Sequence, residues 1–244
     1  MIKHKLSQVI IFLLLSISFG STALEINSMM LVSAYDDESV FTIKNNENAR
    51  IFVSTSVSEL FIKNGEIEMV DYNRNNIFDW KINLSPRKTI IEPGRKKDFF
   101  ITLSDTNLDP KSNNIDRAFQ ISFIPQAYVS EGMEKTNHVN FTIGLGPLFI
   151  LAGEEQPINY DIKYDGKTLY IHNKGNSFIR ANLDSCKYIK SEDTDCTQEF
   201  VVLAGRKLNV NLKEGLMSDD ILVNLETHRA KYRESITIHK GHNI

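Results

Sequence analysis

Apolar and polar positions alternate with a period of two along most of this chain, and they do so in short runs. Ser39 to Ile43 is one such run, closed by the polar stretch Asn45-Asn46-Glu47-Asn48. From Arg50 to Val57, the residues Ile51, Val53, Thr55 and Val57 fall on one face and all four are β-branched. Phe61-Ile62 and Ile67 to Val70 flank Asn64-Gly65, a two-residue hairpin signal. Trp80, Ile82 and Leu84 alternate before Ser85-Pro86, and Thr89-Ile90-Ile91 leads to Pro93-Gly94, a pair that favours a type II turn. Phe99, Ile101 and Leu103 alternate next, then Phe119, Ile121 and Phe123, a run expected to stop at Pro125. Val139, Phe141, Ile143 and Leu145 form the cleanest stripe. Helical periodicity is not sustained anywhere, so short strands at close spacing predict an all-β sandwich or barrel.

A second set of strands follows Gly153 to Pro157, a polar, turn-rich stretch that reads as a linker. Tyr160, Ile162 and Tyr164 alternate up to Asp165-Gly166, and Leu169 and Ile171 run into the turn Asn173-Lys174-Gly175-Asn176. Ile179, Ala181 and Leu183 come next; Phe200 to Leu203 and Leu208 to Leu212 flank Ala204-Gly205; Ile221 to Val223 and Ile236 to Ile238 are late strands. The two sets hold about 130 and about 90 residues, each enough for a sandwich of ~100 residues. No internal repeat is expected from the sequence.

The first 23 residues have a different character. Lys3, His4 and Lys5 form a basic start, Val9 to Phe19 is apolar apart from Ser16 and Ser18, and Ser21-Thr22-Ala23 offers small residues for cleavage. This is the pattern of a secretory signal peptide, and its apolar run is too short to span a bilayer. The expected organisation is a signal at 1–23, a first domain at 24–152 and a second at 153–244. No later run is long and apolar enough to span a membrane, so an exported protein without membrane insertion is expected.

Charge and chemistry narrow the function. The 244 residues carry 28 Lys+Arg against 31 Asp+Glu, a formal net charge of −3. Removing residues 1–23 takes away two Lys and no acids, which leaves −5. Weak acidity without a basic block gives no electrostatic case for nucleic acid. Cys186 and Cys196, ten residues apart in an exported chain, favour a disulfide across a short hairpin, with a metal site as the alternative. His239 and His242 read as a solvated tail. The signature motifs of zinc proteases, serine hydrolases, P-loop enzymes and EF-hands are lacking. Asp36-Asp37-Glu38 and Asp219-Asp220 read as solvated turns, and Gly144-Leu145-Gly146 lacks the third glycine of a dinucleotide loop. A non-enzymatic binding protein with no metal or cofactor is the expectation.

The stripe Val139, Phe141, Ile143, Leu145 has two readings. It is either an ordinary half-buried strand or an edge strand that completes another protein's sheet, with backbone bonds for affinity and alternate side chains filling pockets.

The chain resembles the periplasmic chaperones of the chaperone–usher pilus pathway, and within them the alternate branch that serves class 5 fimbriae. The likeness rests on Ser39 to Asn45, Ala49 to Val53, Leu84-Ser85-Pro86, Glu92-Pro93-Gly94, Asp116 to Phe119 running to Phe123-Ile124-Pro125, and Phe141 to Leu151. It continues through Tyr170 to Asn176, the paired cysteines and Leu203-Ala204-Gly205. The resemblance implies two immunoglobulin-like β-sandwiches in a boomerang, with a binding cleft between them. It implies capture of pilin or fimbrial subunits by donor-strand complementation and delivery to an outer-membrane usher, in the periplasm and without ATP. The lent residues would be Val139, Phe141, Ile143 and Leu145.

The best-studied branch of that family also anchors the subunit's C-terminal carboxylate with an arginine in the first strand and a lysine in the last strand of the first domain. Here the first strand, Leu24 to Ser33, has no basic residue, and Gly146 and Pro147 stand near the lysine's position. Arg50 and Arg117 are the candidate anchors, each with a surface ion pair as its alternative role. The free chaperone could cover its apolar edge by forming a dimer. The rival class is an immunoglobulin-like fimbrial subunit or adhesin, which would carry a free N-terminal extension.

Overall fold

Alternation of the kind seen here gives each sheet one apolar face, which a sandwich buries against a second sheet. The computed structural model describes residues 24–34, 38–104, 114–128, 143–188 and 195–242, and shows that arrangement twice. The signal-like segment 1–23 lies outside the described residues. Among the described residues, helix is limited to three short 3-10 turns, Arg74–Asp79, Glu214–Leu216 and His228–Ala230.

In the first sandwich one sheet has the order β1 (Leu24–Ile26), β3 (Ser39–Asn45), β8 (Lys96–Leu103), β6 (Ile82–Ser85). The other has the order β2 (Met30–Ser33), β10 (Leu148–Leu151), β9 (Arg117–Ala127), β4 (Ile51–Lys63), β5 (Glu66–Asp71), with β7 (Lys88–Ile91) also on β4. Phe41 and Phe99 from one sheet meet Phe123 from the other edge-to-face, at centroid distances of 5.8 and 4.9 Å. In the second sandwich β11 (Tyr160–Tyr164), β12 (Thr168–Asn173) and β15 (Lys207–Asn211) face β14 (Thr197–Val202), β13 (Ile179–Asp184), β16 (Asp220–Glu226) and β17 (Arg233–His239). Ile162, Leu169, Ile171, Leu183, Val223 and Ile238 fill the space between them. Cys186 and Cys196 are joined by a disulfide that closes the β13–β14 hairpin.

Four expectations change. Leu24 to Ser33 is two strands rather than one. It breaks at Asn27 to Met29, so that β1 pairs with β3 in one sheet and β2 pairs parallel with β10 in the other. The runs at 50–57 and 61–62 are one strand of 13 residues, β4, which turns into β5 at Asn64-Gly65 with positive φ at both residues. β9 continues through Pro125 to Ala127, paired with β4. Successive N–H groups in a central strand point to opposite neighbours. Ile121 and Phe123 donate toward the β10 side, so the donor that Pro125 lacks also belongs to that side and costs the β4 pairing nothing.

The fourth change is an internal repeat. Asn45 and Asn173 are fully buried at the ends of β3 and β12. Asn45 Nδ2 donates to the carbonyls of Ala49 and Ile91, both at 2.9 Å, and its Oδ1 accepts from the Glu47 N–H at 2.9 Å. Asn173 makes the same three bonds, to Ser177 (2.8 Å), to Val202 (3.0 Å) and from Gly175 (2.9 Å). Ile91 and Val202 each open a turn of the same form, Pro93-Gly94-Arg95-Lys96 and Ala204-Gly205-Arg206-Lys207, with the glycine at φ 69° and 77°. Each turn carries the chain from one sheet to the other. One asparagine per sandwich thus ties the end of a strand to the same crossover.

Candidate functional site

The last strand of the first sandwich begins where its hydrogen bonding begins. Phe123 and Leu145 exchange both main-chain bonds, at 2.8 and 2.9 Å, and Ile121 N–H donates to Pro147 O at 3.0 Å. The next pair in this register would be Pro125 and Ile143. Pro125 has no N–H to give, so that pair would lose one of its two bonds, and among the described residues the pairing with β9 starts at Leu145. On the opposite edge, β2 covers β10 only from Leu148 onward, where Leu148 N–H donates to Met29 O at 2.9 Å. Among the described residues, no strand pairs with that edge over 143–147. The N–H groups of Gly144 and Gly146 alternate with that of Leu145 and point to it. At Gly146 a Cβ would lie 2.7 Å from Gln120 Nε2, the far end of a flexible side chain that would have to shift to admit it.

Side chains along this segment differ by depth. Leu145 rests against the first core with Phe149 and Leu151, while Ile143 is 84% exposed. Val139 and Phe141 lie outside the described residues. Of the expected stripe, the structure thus places Leu145 on the chain's own core and Ile143 in solvent at the mouth of the strand.

The second feature is a cleft of about 820 Å³ between the sandwiches, lined by the β4–β5 hairpin, the start of β9, residues 156–159, and the turns at 174–176 and 203–205. Arg117 lies in its wall. Arg117 Nη1 is 3.3 Å from Glu59 Oε1, with side chains 27% and 7% exposed. Glu59 also accepts from the Tyr72 hydroxyl at 3.3 Å, and that hydroxyl accepts from the Lys81 N–H at 2.9 Å. Burial pushes the Glu59 carboxyl above its ordinary value, and the charge of Arg117 and the Tyr72 hydrogen bond offset only part of that. Lys174, also in the cleft, pairs with Asp161 at 2.7 Å.

Arg50 is elsewhere. It pairs with Glu92 at 2.8 Å and lies over the Tyr128 ring, 5.2 Å from its centroid. Its carbonyl faces Tyr128, whereas Arg117 sits at the opposite end of the same β4–β9 ladder. At ~3.3 Å per residue the two arginines are about 35 Å apart, so they form no pair. Glu59, Tyr72 and Asp116 are site residues whose roles the sequence reading did not find. Glu59 lies in the run Val57-Ser58-Glu59, all buried, where strand alternation breaks down. Among the described residues no group of three or more His, Cys, Asp or Glu could hold a metal, and no helix is long and apolar enough to cross a membrane.

The two-sandwich β fold matches that of solved chaperone–usher pilus chaperones. The class 5 fimbriae chaperone CfaA superposes with TM-score 0.55 at 15% identity, covering 89% of this chain and 98% of CfaA. The SafB chaperone of Salmonella enterica, solved with the SafA pilin, gives 0.56 at 10% identity over 91% of this chain and 98% of that one. The CsuC chaperone of Acinetobacter baumannii, solved with the tip subunit CsuE, gives 0.56 at 13% identity over 88% and 98%. In sequence, the family model of the CS5 fimbrial protein N-terminal domain matches residues 26–152, and the chain belongs to that family. An uncharacterized 25.9 kDa protein from the CS5 3′ region of Escherichia coli is 29% identical over 147 residues, 60% of this chain and 61% of that protein.

Proposed function

We propose that this chain is a periplasmic, non-enzymatic chaperone of fimbrial assembly. It captures a pilin-type subunit by lending the strand that ends at Leu145, and passes the subunit to an outer-membrane usher. The observation that carries this is the edge at 143–147, unpaired among the described residues, with Ile143 exposed at its mouth. A subunit groove that lacks a strand would gain main-chain bonds from Gly144 and Gly146 and a buried side chain from Ile143. Val139 and Phe141 extend the same parity and are assigned the next pockets. The solved chaperones of the same fold that hold pilin or tip subunits support the partner class. Arg117, in the cleft wall, is the residue assigned to meet the subunit's C-terminal carboxylate. Leu24–Ile26 and Met30–Ser33 are both laddered inside the first sandwich, which argues against their serving as the free extension of a fimbrial subunit.

The test is co-expression with the fimbrial subunit encoded beside it. A soluble one-to-one complex is expected with the wild type and none with Ile143→Asp, because a charge would enter an apolar pocket. Burial of such a side chain contributes ~1.5–3 kcal/mol, so Ile143→Ala should weaken capture by about tenfold or more. A subunit that aggregates equally with and without the wild-type chain would refute the proposal.

A further inference from the structure

The two sandwiches meet at Asp116, the residue just before β9. Its Oδ1 accepts from the Gly153 N–H at 2.9 Å, in the connecting segment, and its Oδ2 accepts from the Phe178 N–H at 2.7 Å, in the second sandwich. Its own N–H donates to Asn176 O at 2.9 Å. Each carboxylate oxygen thus holds a different part of the chain, and only a carboxylate offers two acceptors in that geometry. Beside it, Ala118 and Ile150 of the first sandwich bury against Phe178 and Leu203 of the second. At the other side of the cleft the hairpin tip touches the second sandwich, where Lys207 N–H donates to Gly65 O at 2.8 Å.

We infer that Asp116 is a positioning residue that sets the angle between the two sandwiches, and with it the width of the cleft that Arg117 lines. Apolar packing at the junction is non-directional and permits sliding, whereas two short bonds to one carboxylate fix a direction. Arg117 follows Asp116 in the chain, so the latch and the cleft guanidinium move together.

Asp116→Asn is the informative variant. An amide keeps one acceptor and turns an NH₂ toward the second N–H, so one of the two links is lost; Asp116→Ala loses both. Spin labels at exposed positions on the two sandwiches, introduced as Lys97→Cys and Thr237→Cys, report their separation by pulsed dipolar resonance. The unaltered latch should give one narrow distance distribution. It should broaden about twofold in Asp116→Asn and further in Asp116→Ala, with the β circular-dichroism spectrum of each variant retained. A loss of stability alone would leave the distances of the folded molecules unchanged. An unchanged distribution in Asp116→Asn overturns the inference, whatever becomes of the alanine variant. The readout uses no subunit, so it stands or falls separately from the proposed function.

Discussion

Glu59 and Asp116 are carboxyl groups that the fold holds partly out of water, and burial raises both above their ordinary values of 4.5 and 3.8. The folded chain therefore keeps these protons to higher pH than the unfolded chain does. Their contribution to stability is full below the unfolded values and is lost as pH rises through the folded ones. Glu59→Gln removes one of the two groups. Urea unfolding between about pH 4 and pH 7 should show a flatter decline in that variant, and a curve parallel to the wild type would contradict the assignment. The buried asparagines offer a second test. Asn45→Ala leaves the carbonyls of Ala49 and Ile91 and the Glu47 N–H without their partner, at a cost on the order of 2–3 kcal/mol. Asn173→Ala should cost about the same, measured as a shift in urea midpoint at constant slope, because it makes the same three bonds. The polar stretches after both residues were legible as turns. Their common role was not, since it depends on carbonyls 46 and 29 residues away.

At the scale of elements, alternation located most strands, because a half-buried strand must alternate. It failed where a strand serves two layers. In β4, Ile51, Val53 and Val57 face the first core, while Leu60 and Ile62 pack at the junction between the sandwiches, and the apolar pattern shifts between them. That shift made one strand read as two. Pro125 misled for a related reason, since a proline stops only the ladder toward which its missing N–H would point. The same proline removes a donor from the pair that would follow Phe123–Leu145, so it also weakens the pairing next to the candidate site. The disulfide expected from the spacing of the two cysteines in a chain with a signal-like start is the one the structure holds. Cys186→Ser with Cys196→Ser should cost somewhat under ~3 kcal/mol, as expected for so small a loop, and lower the melting temperature of the second sandwich by about 10 °C. Equal melting of the reduced and oxidised protein would show that the bridge contributes nothing to stability.

For the whole molecule, the two halves are one architecture used twice, each with its buried asparagine and its Gly-Arg-Lys crossover. The repeat is hard to read along the chain because it rests on bonds between distant residues, from each asparagine to a carbonyl 46 or 29 residues on. What distinguishes the halves is the edge at 143–147, which no described strand pairs and which the first sandwich carries on the strand that runs on to meet Arg117 at Leu151. Donor-strand binding requires that edge to be free in the isolated chain and covered in the complex. Amide exchange at Gly144 and Gly146, followed by NMR, reads this directly. Both N–H groups should exchange quickly in the free protein and slow by at least a hundredfold when the fimbrial subunit is bound. Equal exchange in a verified complex would show that the subunit is held by another surface.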